Sequence, residues 1–227
     1  MSQEILDKLA KAVMAGDEVA AKTAAQEAIN AKVDPINAIK NGLSKGMEVI
    51  GKKFANFEVF LPEVMLAADA MKAGIGVIRP HISADRMAES QRGKVVIGTV
   101  YGDIHDIGKT LVATMLEVAQ YEVHDLGNDV QPKKFLEKAR EVNADIIAMS
   151  CLLTPSMYYQ KDVMELMKDM GIRQKTWAMV GGSPITPEWT KEIGADGWGR
   201  HADDAVEVAN LLMKNGKELA KPVVKGG

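Results

Sequence analysis

From Lys94 onward the sequence alternates short β-branched apolar runs with amphipathic stretches, and few folds can satisfy that alternation. The runs are Lys94–Tyr101, Tyr121–Leu126, Asp145–Ser150, Thr176–Val180 and a weaker one at Asp196–Trp198. Helical spacing fills the gaps near Ile107–Gln120, Pro132–Val142, Ser156–Met170, Pro187–Ile193 and Ala202–Asn215. Strands separated by helices pair in parallel, since the helix carries the chain back to the starting edge of the sheet. With right-handed crossovers the pattern predicts an α/β domain with a doubly wound, mostly parallel five-stranded sheet, Rossmann-like or flavodoxin-like. The closing "AKPVVKGG" is expected to fray.

The first part of the chain carries no strand signal. Ile5, Leu6, Leu9 and Val13 mark one helix, and Val19 to Ile29 a second. In "DPINAIKNGLSKGMEVIGKKF" Asp34 suits an N-cap and Pro35 a first helical position, so a third helix opens there. "LPEVMLAADAMKAGIGVI" makes a fourth, with Pro62 in its first turn and Val64, Ala68, Met71 and Ile75 on one face. Four helices with short links imply a helical bundle. The polar stretch Ser83 to Gly93 reads as a connector, giving a helical domain over 1–90 and an α/β domain over 91–227.

Charge narrows the function. With 28 basic against 31 acidic residues, a net charge of −3, the chain lacks the basic footprint that nucleic acid requires. Its one cysteine, Cys151, excludes an intramolecular disulfide and suits a reducing cytoplasm. Charges interrupt every apolar run of "MSQEILDKLAKAVMAGD", so it is neither a signal peptide nor a membrane span, and no other segment has spanning length.

The stretch "VVIGTVYGDIHDIGKTLVATML" leads from the first strand into the following helix, where ligands of such sheets bind. A phosphate loop fits poorly. Five residues rather than four separate Gly102 from Gly108-Lys109, and Asp103 and Asp106 would repel an anion. A phosphoacceptor domain would need an aspartate after the third strand, where Ser150 and Cys151 stand instead. A histidine flanked by acids does suit metal ligation, because a carboxylate two residues away can hold the imidazole in one tautomer. His81, His124 and His201 show no paired spacing, so zinc is poorly supported, and a metal bringing its other ligands within a cofactor fits better. On these residues alone, a merely solvated loop histidine remains an equal alternative.

Further elements follow in order: Asp103-x-His105-x-x-Gly108, then Ser150-x-Leu152 within "SCLLTPS", then Gly181-Gly182. Together they resemble the cobalamin-binding family. The segment "GLSKGMEVIGKKFANFEVFLPEVMLAADAMK" is similar to the helical cap of methionine synthase and of small corrinoid proteins. Nearly the whole chain is covered, and at this size it resembles the corrinoid proteins of methylotrophic methyltransferase systems serving methylamines and quaternary amines.

The resemblance implies base-off cobalamin with His105 as the lower axial cobalt ligand and the displaced nucleotide tail threaded into the α/β domain. Gly102, Ile104 and Asp106 would belong to the same cofactor loop, with Asp106 also expected to cap the following helix. Asp103 and Ser156 would form a hydrogen-bonded relay with His105. Gly108, Gly181 and Gly182 would let the tail pass close to the backbone, and Ser150, Leu152 and Thr154 would line its slot. Phe54, Phe60, Leu61, Val64 and Met65 of the cap would cover the upper face, Phe54 and Leu61 being the strongest candidates. His201 would lie near the tail, Cys151 would be a small buried neighbour, and Val163, Leu166, Met167 and Met170 would be ordinary core.

By the same resemblance the chain is a methyl carrier and not an enzyme by itself. Cob(I)alamin would take a methyl group from a substrate-specific methyltransferase, with a methylated amine or betaine as donor. The resulting methylcob(III)alamin would serve a second methyltransferase acting on tetrahydrofolate or a thiol such as coenzyme M, and a reductive activase would restore the cofactor. A cobalamin-dependent sensor shares both domains, but the chain has no residues left for an output module. A flavodoxin-fold enzyme that binds no corrinoid is the other alternative.

Overall fold

The protein is described from a computed structural model over residues 2–82, 92–215 and 222–226. The chain divides into two compact units, Met1–Ser90 and Gln91–Gly227. Most of the expected connector lies outside the described residues. Among those described, no helix is long and apolar enough to cross a membrane.

The first unit is helical: α1 (Ser2–Met14), α2 (Glu18–Asn30), α3 (Pro35–Asn37), a π-helical segment Ala38–Leu43, α4 (Ser44–Ala55) and α5 (Leu61–Ile78). Asp17 opens α2 by accepting from Ala20 N, and Asp34 opens α3 by accepting from Asn37 N, both at 2.9 Å. The third expected helix is thus one rod broken by a π turn. Gly42 and Gly74 lie against Leu9 and Leu43, where an added Cβ would fall within 2.8 Å of a leucine carbon. Ala21, Ala24, Ala25 and Ala28 line the buried face of α2, and such short side chains let helices approach closely. Val64 is 1% exposed on α5, buried as a core residue would be. Phe60, at the N-cap of α5, and Met65, within that helix, are exposed.

The second unit contains six parallel strands, not five, in the order β2-β1-β3-β4-β5-β6. They are β1 (Lys94–Thr99), β2 (Glu122–Asp125), β3 (Ile146–Ser150), β4 (Trp177–Gly181), β5 (Gly197–Gly199) and β6 (Val223–Lys225). The extra strand lies in the tail expected to fray, where pairing of Val223, Val224 and Lys225 with Gly197, Trp198 and Gly199 overrides a weak local signal.

The helices are α6 (Ile107–Val118), α7 (Pro132–Val142), α8 (Tyr158–Asp169), α9 (Pro187–Ile193) and α10 (Ala202–Asn215). Strand alternation sends Val95, Ile97, Ile146, Ala148, Trp177 and Met179 into a core with α6 and α10. Their neighbours Val96, Ile147, Met149, Ala178 and Val180 pack on α7, α8 and α9. Val163 and Met167 are fully buried in that second core, with Leu166 and Met170 packed against it, as their spacing predicts. Strand order reverses between β1 and β3, so the loops leaving them diverge and open a crevice at the carboxyl edge of the sheet.

Candidate functional site

The loop after β1 holds the histidine at that crevice. Gly102 adopts φ +73°, a left-handed turn that favours glycine, and brings Asp103 back beneath the strand ends. Asp103 is fully buried, whereas the His105 side chain is 50% exposed. Asp103 Oδ1 lies 2.7 Å from His105 Nδ1 and also accepts from the His105 backbone N–H at 3.0 Å. Its Oδ2 accepts from the N–H groups of Leu152 at 2.6 Å and Leu153 at 3.1 Å, just beyond β3. Four donors therefore meet the four lone-pair sites of one carboxylate. A proton on Nδ1 directed at Asp103 leaves the lone pair of a neutral ring on Nε2, the arrangement that a metal requires.

Burial alone would raise the Asp103 carboxyl. The His105 and Leu152 amides, the His105 ring and the Leu153 amide outweigh it and bring the pKa down to about 2. A depressed carboxylate contributes stability in full above its unfolded value of about 3.9 and loses it as pH falls toward the folded value. The expected result is a carbon-13 titration of the Asp103 carboxyl with its midpoint near 2, and acid weakening of the second unit between about pH 4 and 2. A midpoint at or above the ordinary carboxylate value would contradict this hydrogen-bond arrangement.

Two expectations for this loop need correction. Ser156 does not complete a relay with Asp103 and His105; its Oγ donates to the Gly102 carbonyl at 3.1 Å. Main-chain amides already fill the aspartate oxygen that a hydroxyl would need. Asp106 occupies the N-cap position of α6 but makes no side-chain cap hydrogen bond there. Its carbonyl accepts from Thr110 N at 2.7 Å instead.

Beside the loop a cavity of about 200 Å³ enters the second unit, lined among others by Gly108, Ser150, Gly181, Gly182, Gly199 and His201. A Cβ at Gly108 would meet nothing within 4 Å, so glycine here leaves open space next to the histidine loop. Ser150 ends β3 in register with Thr99 and Gly181. Ile104, Ile107, Leu152 and Leu153 form an exposed apolar rim, while Thr154 is exposed at the start of the 3-10 turn Thr154–Met157. Phe54 and Leu61 are half-buried in the first unit. Cys151 is buried; burial first, then the Asp103 charge, pushes its thiol up to about 12, so it stays protonated and unreactive.

Sequence reasoning weighed Lys109 only as part of a phosphate loop and passed over Gly199 and Arg200; all three also line the cavity. Lys109 is 4% exposed and its Nζ pairs with Asp125 at the end of β2. The signals were its position one helical turn after His105 and the glycine closing a short strand in "GWGR". Among the described residues no group of three or more His, Cys, Asp or Glu side chains could hold a metal ion by itself. One presented imidazole beside an open, glycine-edged slot is compatible with a metal whose other ligands arrive with a cofactor.

Comparison with known proteins identifies the family. A B12-binding domain family matches residues 93–207, and a second B12-binding domain family matches residues 5–79. A corrinoid protein of Desulfitobacterium hafniense is 44% identical over 94% of this chain and 99% of its own length. Trimethylamine corrinoid protein 2 of Methanosarcina acetivorans is 44% identical over 94% of this chain and 98% of its own. The crystal structure of the methanol:cobalamin methyltransferase complex of Methanosarcina barkeri contains a chain that superposes with a TM-score of 0.86 at 30% identity. That match covers 98% of this chain and 83% of the other. With both units matched and relatives aligned end to end, this chain belongs to the B12-binding corrinoid protein family.

Proposed function

We propose that this protein is a corrinoid methyl carrier, with His105 as the lower axial ligand of a cobalamin bound base-off. The observation that carries the reading is the His105–Asp103 pair, a half-exposed imidazole whose Nδ1 is fixed at 2.7 Å on a buried carboxylate. When bound, the cofactor supplies the methyl-transfer chemistry, through a nucleophilic cobalt that takes and gives up a methyl group. His105 would hold the cobalt through Nε2, and the slot beside Gly108, Ser150, Gly181 and Gly182 would take the tail. Thr154 and Leu152 would border it.

The residues of this chain do the rest. Asp103 keeps the ring oriented and retains the Nδ1 proton, because its own oxygens are saturated and its carboxyl stays ionised. Half of the ring stays exposed, and Ser156 is tied to the Gly102 carbonyl rather than to the pair. Ile104, Ile107 and Leu152 offer apolar surface that excludes water around the ligand.

The partners are inferred from the carrier role; the names of relatives such as trimethylamine corrinoid protein 2 support a methyltransferase on the donor side. A methyltransferase specific for a methylated amine or betaine would load the chain. A second one, acting on tetrahydrofolate or coenzyme M, would unload it, and a reductive activase would rescue oxidised cofactor.

Reconstitution with hydroxocobalamin and reduction to cobalt(II) tests the ligation by electron paramagnetic resonance. Hyperfine coupling should come from a protein nitrogen, change on nitrogen-15 labelling of histidine, and vanish in His105→Ala. Coupling that persists from the dimethylbenzimidazole nitrogen, or failure to retain any corrinoid, would overturn the proposal.

A further inference from the structure

The carbonyls of the histidine loop are each held from outside it or from its root. The Gly102 carbonyl accepts from Ser156 Oγ at 3.1 Å, and that of Asp103 from Asp129 N at 2.9 Å. Asn128 Nδ2 donates to the Ile104 carbonyl at 3.1 Å, and Thr99 Oγ1 to that of His105 at 2.8 Å. The Gly102 N–H donates to Asp129 Oδ1 at 2.8 Å. Asp129 thus grips the two peptide units that bracket the Gly102-Asp103 pair, the Tyr101–Gly102 peptide with its side chain and the Asp103–Ile104 peptide with its own N–H. Its backbone sits at φ +51°, in the left-handed region that aspartate, asparagine and glycine tolerate best. The segment carrying it is docked on β1: Thr99 N donates to Gly127 O and Val130 N to Thr99 O, both at 3.0 Å.

We propose that Asp129, assisted by Asn128, is the positioning residue for His105, clasping the loop so that the imidazole meets its metal in one orientation. Neither residue touches the ring; each acts through the main chain of the loop. The inference rests on the reading of His105 as cobalt ligand, and it adds that the ligand's geometry is set from the β2–α7 connection as well as by Asp103. The bland alternative is a surface loop with incidental hydrogen bonds. The left-handed backbone and the convergence of two separate groups of one residue on the two peptides that bracket Gly102-Asp103 argue against it.

Three variants separate the acceptor from the backbone. Asp129→Gly keeps the left-handed turn and deletes Oδ1, Asp129→Asn keeps both, and Asn128→Ala removes only the bond to Ile104. In the cofactor-free full chain, hydrogen exchange of the Gly102 amide should be about tenfold faster in Asp129→Gly, the scale of one lost hydrogen bond. The strand amides of β1, β3 and β4 should be unchanged. In the cobalamin-loaded chain, the cobalt(II) spectrum of Asp129→Gly should split into histidine-coupled and uncoupled populations. Asn128→Ala should do the same more weakly, and Asp129→Asn should restore the wild-type exchange and spectrum. Wild-type exchange and a single histidine-coupled spectrum in Asp129→Gly would overturn the proposal, as would uniform acceleration of exchange across the second unit. If the wild-type chain itself shows no histidine coupling, the ligand reading fails, while the exchange arm still reports whether the clasp exists.

Discussion

Asp103→Asn is expected to cost the second unit about 3 kcal/mol of stability and to lose histidine coupling in the cobalt(II) spectrum. The substitution keeps size and shape, so packing does not decide its effect. Each oxygen of Asp103 accepts from two donors: His105 N–H and the ring on one side, the Leu152 and Leu153 amides on the other. Asparagine replaces one oxygen by NH₂, a donor. If that group faces residues 152 and 153, two buried amides lose their acceptor. If it faces His105, the ring can respond only by accepting at Nδ1, which moves its proton to Nε2 and removes the lone pair a metal needs. Urea unfolding followed by tryptophan fluorescence reads the stability, since Trp177, Trp189 and Trp198 all lie in the second unit. A loss below about 1 kcal/mol with the coupling intact would show that charge and acceptor count at this position do not matter.

Gly182→Ala should be worse, removing upward of about 4 kcal/mol and with it cooperative folding of the second unit. Gly182 adopts φ +119°, which an L side chain rarely takes. Its added Cβ would land on the Cys151 carbonyl oxygen and within 2.7 Å of the carbonyl carbon. That carbonyl cannot retreat: Cys151 is fully buried, and its N–H donates to Gly181 O at 3.0 Å in the β3–β4 ladder. Gly181→Ala is the natural control, because its Cβ would come no nearer than 3.8 Å to Gly199 O. Circular dichroism melts of the two variants decide the matter; Gly182→Ala melting within a few degrees of the wild type would refute the steric argument. The two glycines, adjacent in sequence, thus differ in kind: the ligand-free fold already demands the second.

The parts of this protein legible in the sequence are those set by local chemistry. Val95, Val96 and Ile97 announce a strand because a parallel sheet buries both faces and needs apolar residues consecutively. Asp34 and Asp17 cap helices through contacts three residues away, and Asp103 reaches His105 across two. The missed features depend on what the topology brings together. Strand β6 has three residues and exists only because β5 offers it an edge. The π turn at Ala38–Leu43 lies inside a pattern that reads as unbroken helix. Ser156 and Asp129 are 54 and 27 residues from Gly102, so no spacing rule assigns Ser156 to a carbonyl, or makes an aspartate in "DLGND" the clasp of a histidine loop.

The grip on the buried carboxylate by residues 152 and 153 is made entirely by main chain, while both leucine side chains stand in solvent at 45% and 40% exposure. Identity at these positions is therefore uncoupled from the imidazole's posture. Descendants of this chain can change either side chain without loosening the anchor of the imidazole, whatever else the Leu152 side chain serves, and proline, which has no N–H to give, is the substitution such drift cannot use.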